Sequence, residues 1–226
     1  MAGTRVADKK AHIYKFRFQS FIIRSRPLDV RRCAIDFLIS SANKCIEGVP
    51  GFGLVLARRG PLVEAEGHAR TLSLDLFAQW QGLESDGQFR FTPPTHALLA
   101  FRQALDELDE EGGLSGRAAR YAANYAALMS GMGELGFDPY LLPEYQSPII
   151  TSFRYPAHPN FSFNGFYTRL SDRGFIIYPG KVTGADCFRI GTIGHIFPEN
   201  IRNLVAAISD VLREMHVDSA HAAAAV

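Results

Sequence analysis

The stretch AIDFLISSANKCIEGVPGFGLVLA, residues 34–57, decides the fold of this chain. Its first seven residues, Ala34 to Ser40, form a short apolar run that reads as a buried strand of the kind found in α/β sheets. The run ends in the polar residues Ser40, Ser41, Ala42, Asn43 and Lys44. A glycine-punctuated turn follows (Gly48, Pro50, Gly51, Gly53), and then a second apolar run, Leu54 to Ala57. The local plan is strand, loop carrying a lysine, tight turn, strand. Surface lysines ordinarily sit on amphipathic faces or loop tips with other charges, so Lys44 is unusually placed. Two readings of it stay open at this point. It closes a loop, or it lies in a pocket, where desolvation disfavours the ammonium form and leaves an amine able to condense with an aldehyde.

Upstream of this stretch the charge changes character. The whole chain carries 24 basic and 23 acidic residues, a net charge of +1, which gives no electrostatic case for nucleic acid as a partner. Seven of the basic residues and only one acid fall in residues 1–26, which leaves residues 27–226 at net −5. Tyr14, Phe16 and Phe18 alternate with Lys15, Arg17 and Gln19, the period of a short strand. An arginine-rich, acid-poor start also suits an organellar presequence, but its apolar residues lack helical period, and a solvated arm is the reading preferred.

Downstream, residues 71–80 show no clear period and Gly82 to Gly87 is a loop by composition. Thr92-Pro93-Pro94 opens a helix whose Leu98, Phe101, Leu105 and Leu108 share one face, and Gly112-Gly113 stops it. Ser115 then caps an alanine-rich helix running to about Leu135. Beyond Phe137, prolines separate short β-prone runs at Ile149–Tyr155, Phe175–Tyr178 and Cys187–Ile190. A helix spans 161–173, and a last one opens at Pro198 with Ile201, Leu204, Val205, Ile208, Val211, Leu212 and Met215 buried. The tail from Ser219 has no reason to be ordered. Hydrophobic residues make up 47% of the chain and charged ones 21%, which excludes wholesale disorder. No apolar run reaches the roughly 18 residues of a membrane helix. Three cysteines at wide spacing form neither a disulfide framework nor a zinc signature, so a cytoplasmic protein without a metal is expected.

Two long strings carry a resemblance. SSANKCIEGVPGFG, from Ser40, resembles the cofactor-lysine segment of the class V aminotransferases. RGFIIYPGKVTGADCFRIGTIGHI, residues 173–196, is similar to the carboxy-terminal signature of one group within that class, the 2-aminoethylphosphonate–pyruvate transaminases. The likeness runs from Pro27 to about Val217, with TPP at Thr92 between the two strings. It implies an α/β fold, fold-type I of the transferases that depend on pyridoxal 5'-phosphate (PLP). Residues 27–105 would be the last part of the PLP-binding large domain and 106–218 the small α/β domain, flanked by a basic arm (1–26) and a disordered tail (219–226). It also implies a homodimer acting on 2-aminoethylphosphonate and pyruvate. By the same resemblance Lys44 holds the cofactor covalently and shuttles the proton. Thr92 reaches the cofactor phosphate of the neighbouring subunit, Ser41 donates to the phosphate, and Arg189 binds the acidic group of each substrate. On the residues alone, Thr92 is an ordinary helix cap, Arg189 a surface ion pair, Cys45 packing and His195 structural.

The chain also departs from the pattern. The amino-terminal half of the family, with its phosphate cup, has no counterpart, and the aspartate expected to pair with the pyridine nitrogen falls at Phe18. The coincidence of lost resemblance and charge shift at residue 26 suggests a truncated or frame-shifted gene rather than a short paralogue. Two other functions therefore stay open: an alanine–glyoxylate type of transaminase, and a catalytically inactive fragment.

Overall fold

The structure is a computed structural model that describes residues 16–18, 29–180 and 185–221. The chain divides into two units, residues 1–105 and 106–226.

The first unit is built on a three-stranded sheet of order β1-β2-β3: β1 (Phe16–Phe18), β2 (Phe37–Ser41) and β3 (Gly53–Ala57). β1 runs parallel to β2, with Phe18 opposite Ile39, and β3 runs antiparallel to it, with Ser41 opposite Gly53. Residues 34–40 were expected to be the strand. It starts later because Ala34 takes a positive φ of 48° and Ile35 closes a turn onto the Val30 carbonyl. Phe16–Phe18 belong to the sheet rather than to a solvated arm, while Tyr14, Lys15 and Gln19 lie outside the described residues.

Two helices follow that the sequence did not announce, α1 (Arg59–Glu64) and α2 (Leu76–Asp86). Gly82 is inside α2, so the loop expected at 82–87 is helix. The Asp75 side chain accepts from the Ala78 amide at its start, and Gly87, at φ 74°, closes its end. None of the α2 residues is fully buried, so burial imposes no hydrophobic period on it. α3 (Thr95–Glu110) then runs across the division between the units, with Ala97, Ala104 and Leu108 buried.

The second unit opens with α4 (Gly113–Glu134). Ser115 lies within its first turn rather than capping it. The flanking residue is Gly112, whose positive φ of 93° favours glycine. β4 (Ile150–Arg154), β5 (Tyr178–Pro179) and β6 (Cys187–Gly191) form an antiparallel sheet of order β4-β6-β5. α5 (Phe163–Asp172) is capped by Ser162, and α6 (Pro198–Glu214) packs along α4. The two helices approach closely at Gly131, where any Cβ would meet Val205 at 2.7 Å. β5 is shorter than the expected run from Phe175, because the Phe175 amide returns to the Leu170 carbonyl at the end of α5.

The core of this unit is aromatic: Phe137, Phe153, Phe166 and Phe188 are buried, with Phe137 and Phe188 each in ring contact with the other three and Leu128, Ile190 and Ile208 in the same cluster. The stretch from Ser219, expected to be disordered, is held at its start. Ala220 is buried and its amide donates to the Leu135 carbonyl, because it covers the carboxy-terminal end of α4. Residues 222–226 lie outside the described residues. No helix among the described residues is long and apolar enough to cross a membrane.

Candidate active site

In the first unit the site grows out of the central strand. Phe37, Leu38 and Ser40 are buried, and β2 hands the chain directly to a tight turn at Ala42–Gly48. The turn is closed by the Glu47 amide on the Lys44 carbonyl (2.8 Å) and the Gly48 amide on the Ala42 carbonyl (3.0 Å). It lies flat against α3. A Cβ at Gly51 would meet the Ala97 methyl at 2.7 Å, so only glycine admits this approach. Phe52 and Phe101 lock the contact edge to face, with ring centres 5.3 Å apart. The lysine turn and the first turns of α3 therefore form one packed piece, with Thr92 at its edge.

Lys44 is half-buried and is the only lysine among the described residues. Its amine lies 3.5 Å from Asn43 Oδ1, and no carboxylate pairs with it among the described residues. That leaves an amine uncommitted to an ion pair, chemistry that fits an aldehyde. Ser41 ends the strand on one face, half-buried. Ser40 turns to the other, and its buried hydroxyl has no hydrogen-bond partner among the described residues. Thr92 is exposed, and Pro94 rather than Thr92 is the residue flanking α3, so it does not act as the cap. Cys45 is buried, as packing requires. These groups suit the aldehyde and phosphate ends of a pyridoxal phosphate. β1 reads Phe16-Arg17-Phe18, so the position at which the resemblance expects the aspartate carries no carboxylate.

Arg189 belongs to the second unit, in the middle of β6 rather than at a strand end. Phe188 and Ile190 on either side of it are buried, which puts its own side chain on the opposite, half-exposed face. Its Nε donates to the Pro179 carbonyl at 3.1 Å, leaving both terminal nitrogens without a protein partner among the described residues. His195 is exposed and packs edge-on against Phe197. Burial pushes the Cys187 thiol up, with Arg154 opposing and Asp186 adding, so this cysteine stays protonated and inert. Lys181, in the second string, lies outside the described residues.

The segment after β6 is fastened by residues the sequence reading did not select. Asn124, wholly buried in α4, donates to the carbonyls of Thr192 (3.3 Å) and Ile196 (3.0 Å). Arg120 donates to Gly194 and Ile196 and stacks over Tyr121 and Phe197. The Thr192 hydroxyl reaches the Pro148 carbonyl. A signal was available: Arg117, Tyr121, Asn124 and Leu128 form the buried stripe of α4, and two polar residues on such a stripe call for buried partners.

Glu111 anchors this cluster, accepting from Arg120 Nε at 2.7 Å and from Arg117. The Arg120 hydrogen bond holds its carboxyl below the usual range, against burial and with help from Arg117. A carboxyl lowered in the folded state stabilises above its unfolded value, about 4.3, and that stability is lost as pH falls through the folded value. Calorimetric melting from pH 7 to pH 3 should show the wild type losing more stability than Glu111→Gln, the curves converging in acid. Parallel curves would remove this role.

The α/β chain, with a lysine on a tight turn at the end of a central strand, has the fold of the fold-type I aminotransferases. Solved structures agree on the fold. Alanine–glyoxylate aminotransferase from Nostoc sp. has a TM-score of 0.71 at 21% identity, over 83% of this chain and 50% of that one. Ureidoglycine–glyoxylate aminotransferase from Bacillus subtilis has a TM-score of 0.71 at 22% identity, over 85% and 51%. The chain belongs to the class-V aminotransferases, whose family model matches residues 19–175. That match begins eight residues before Pro27, where the motifs alone placed the start of the likeness. Among curated proteins, the 2-aminoethylphosphonate–pyruvate transaminase of Aeromonas hydrophila is 58% identical over 184 residues, 81% of this chain and 48% of the relative. That of Syntrophobacter fumaroxidans is 57% identical over 187 residues, 82% and 50%. The chain spans about half the length of the curated relatives it matches.

Proposed function

We propose that the protein transfers the amino group of 2-aminoethylphosphonate to pyruvate, giving phosphonoacetaldehyde and alanine, with pyridoxal phosphate as cofactor. The observation that carries this reading is a lysine amine with no acidic partner among the described residues at the end of β2, in a chain 58% identical over 184 residues to such a transaminase. When bound, the cofactor supplies the electron sink that lets the carbon bearing the amine give up its proton. Lys44 would hold the cofactor through its aldehyde end and, with its amine free, would take and return that proton. The hydroxyls of Ser41 and Thr92 hold the phosphate. The exposed Thr92 is available to a second subunit, so the working form in this reading is a homodimer, in the cytoplasm. Arg189 anchors the acidic group of whichever substrate is present, because its terminal nitrogens can donate paired, charge-assisted hydrogen bonds to a carboxylate or phosphonate.

The test is alanine formation from pyruvate and 2-aminoethylphosphonate by the purified chain. Arg189→Ala should raise KM for both substrates by about a hundredfold, the loss of two charge-assisted hydrogen bonds at roughly 1.5 kcal/mol each. An unchanged KM for either would count against the anchor. A second reading rests on β1, which offers no carboxylate to the ring nitrogen. In that reading the chain takes up the cofactor at Lys44 and forms no alanine.

A further inference from the structure

The sheet register puts two hydroxyl groups beside Arg189 that the motifs did not mark. Ser152 of β4 is opposite Arg189 on one side, and Tyr178 of β5 is opposite it on the other. Residues directly opposite across a sheet share a face, so hydroxyl, guanidinium and phenol stand in one row on the half-exposed face of β4-β6-β5. The hydrogen bonding refines this. The Ser152 carbonyl is taken by the Tyr140 amide, on the side away from β6. Ser152 and Arg189 are therefore a pair without ladder bonds, the arrangement with the closer side chains, at Cα separations of about 4.5 Å. On the other side, the bond from Arg189 Nε to the Pro179 carbonyl ties the guanidinium to β5, the strand that carries Tyr178. Tyr178 is 54% exposed, so its hydroxyl is open to a ligand.

We propose that Ser152 and Tyr178 are specificity residues that make the Arg189 site prefer a tetrahedral phosphonate over a carboxylate. This rests on the function proposed above and names how that site tells its two anions apart. The reasoning is one of counting donors. The terminal nitrogens of Arg189 satisfy two anion oxygens as a fork, which completes a carboxylate. A phosphonate has a third oxygen, out of the plane of the fork. A hydroxyl on either side of the guanidinium gives that oxygen a donor, and the carboxylate has nothing to offer in exchange. Pyruvate and alanine are thus held by Arg189 alone, and 2-aminoethylphosphonate by Arg189 with its two neighbours.

The experiment uses the whole chain labelled with ¹⁵N-arginine, titrated with methylphosphonate and separately with acetate, following the Arg189 Nε–H signal assigned from an Arg189→Lys variant. Both anions should shift this signal in the wild type. In Ser152→Ala/Tyr178→Phe, affinity for methylphosphonate should fall about tenfold while that for acetate stays within about twofold. The extra charge of the phosphonate is common to both proteins, so the fall in the ratio isolates the hydroxyls. Both positions lie on the half-exposed face, and Tyr178→Phe alone serves if the pair of changes disturbs folding. Where transamination is measurable, KM should rise for 2-aminoethylphosphonate and not for pyruvate. A ratio of affinities unchanged in the variant overturns this inference and leaves the Arg189 anchor standing. A wild-type signal that answers to neither anion overturns the anchor and this inference together.

Discussion

Replacing Lys44 by alanine is expected to abolish both cofactor attachment and alanine formation. After incubation with pyridoxal phosphate and reduction with borohydride, the wild-type chain should carry its label on the peptide containing Lys44, and the variant should carry none there. The expectation rests on geometry. The amine stands at the end of a buried central strand, on a turn held by two backbone hydrogen bonds and pressed against α3, with the Asn43 amide oxygen 3.5 Å from it and no ion-pair partner among the described residues. A methyl group there offers neither a nucleophile nor a base. General acid–base assistance by itself is commonly worth a hundred- to ten-thousandfold in rate, and the lost covalent attachment adds to that. Stability should change little, because the side chain is only half-buried and makes no ion pair among the described residues. Labelling spread equally over Lys9, Lys10, Lys15, Lys44 and Lys181, and unchanged in total by the substitution, would mean that no selective site exists.

The second large effect concerns the core that holds Arg189 in place. Phe188→Ala should destabilise the chain by about 3–5 kcal/mol, a large part of the 5–15 kcal/mol typical of a folded domain. Phe188 is wholly buried, and its ring centre lies 5.4 Å from Phe166, 5.5 Å from Phe137 and 5.9 Å from Phe153. Neighbours drawn from α5, the loop after α4, and β4 cannot all collapse into the space left behind. The cost therefore includes the cavity as well as the lost transfer of the ring from water. Phe188→Leu, which keeps most of the volume, should cost distinctly less. Urea unfolding measures both. A loss below about 1 kcal/mol for the alanine variant would show that the sheet and α6 repack freely around the site.

Much of the architecture was legible because it is local. The β2–turn–β3 unit is contiguous in the chain, and its apolar runs and glycines name it directly. The buried face of α6 follows from Ile201, Leu204, Ile208 and Val211 recurring at helical spacing. α2 was missed for the converse reason: none of its residues is fully buried, so its start rests on one Asp75 cap and its end on Gly87. The ordered start of the tail was missed because alanine and serine carry no pattern. Only the open end of α4, 85 residues earlier at Leu135, shows what Ala220 covers.

By itself, the sequence determined the family, the lysine strand and its turn, and the strand that carries Arg189. Each is written in neighbouring residues: apolar period and glycine placement specify the strands and the turn, and the two long strings carry the resemblance to the family. Tertiary structure alone decided what surrounds Arg189. Ser152 and Tyr178 flank it across the sheet, and Asn124 and Arg120 fasten the segment that follows. These partners come from separate elements, brought together by strand register and helix packing. Strand period says which side of a strand is buried. It does not say which residue of another strand will stand opposite, because that is settled only when the shared core of Phe137, Phe153, Phe166 and Phe188 closes.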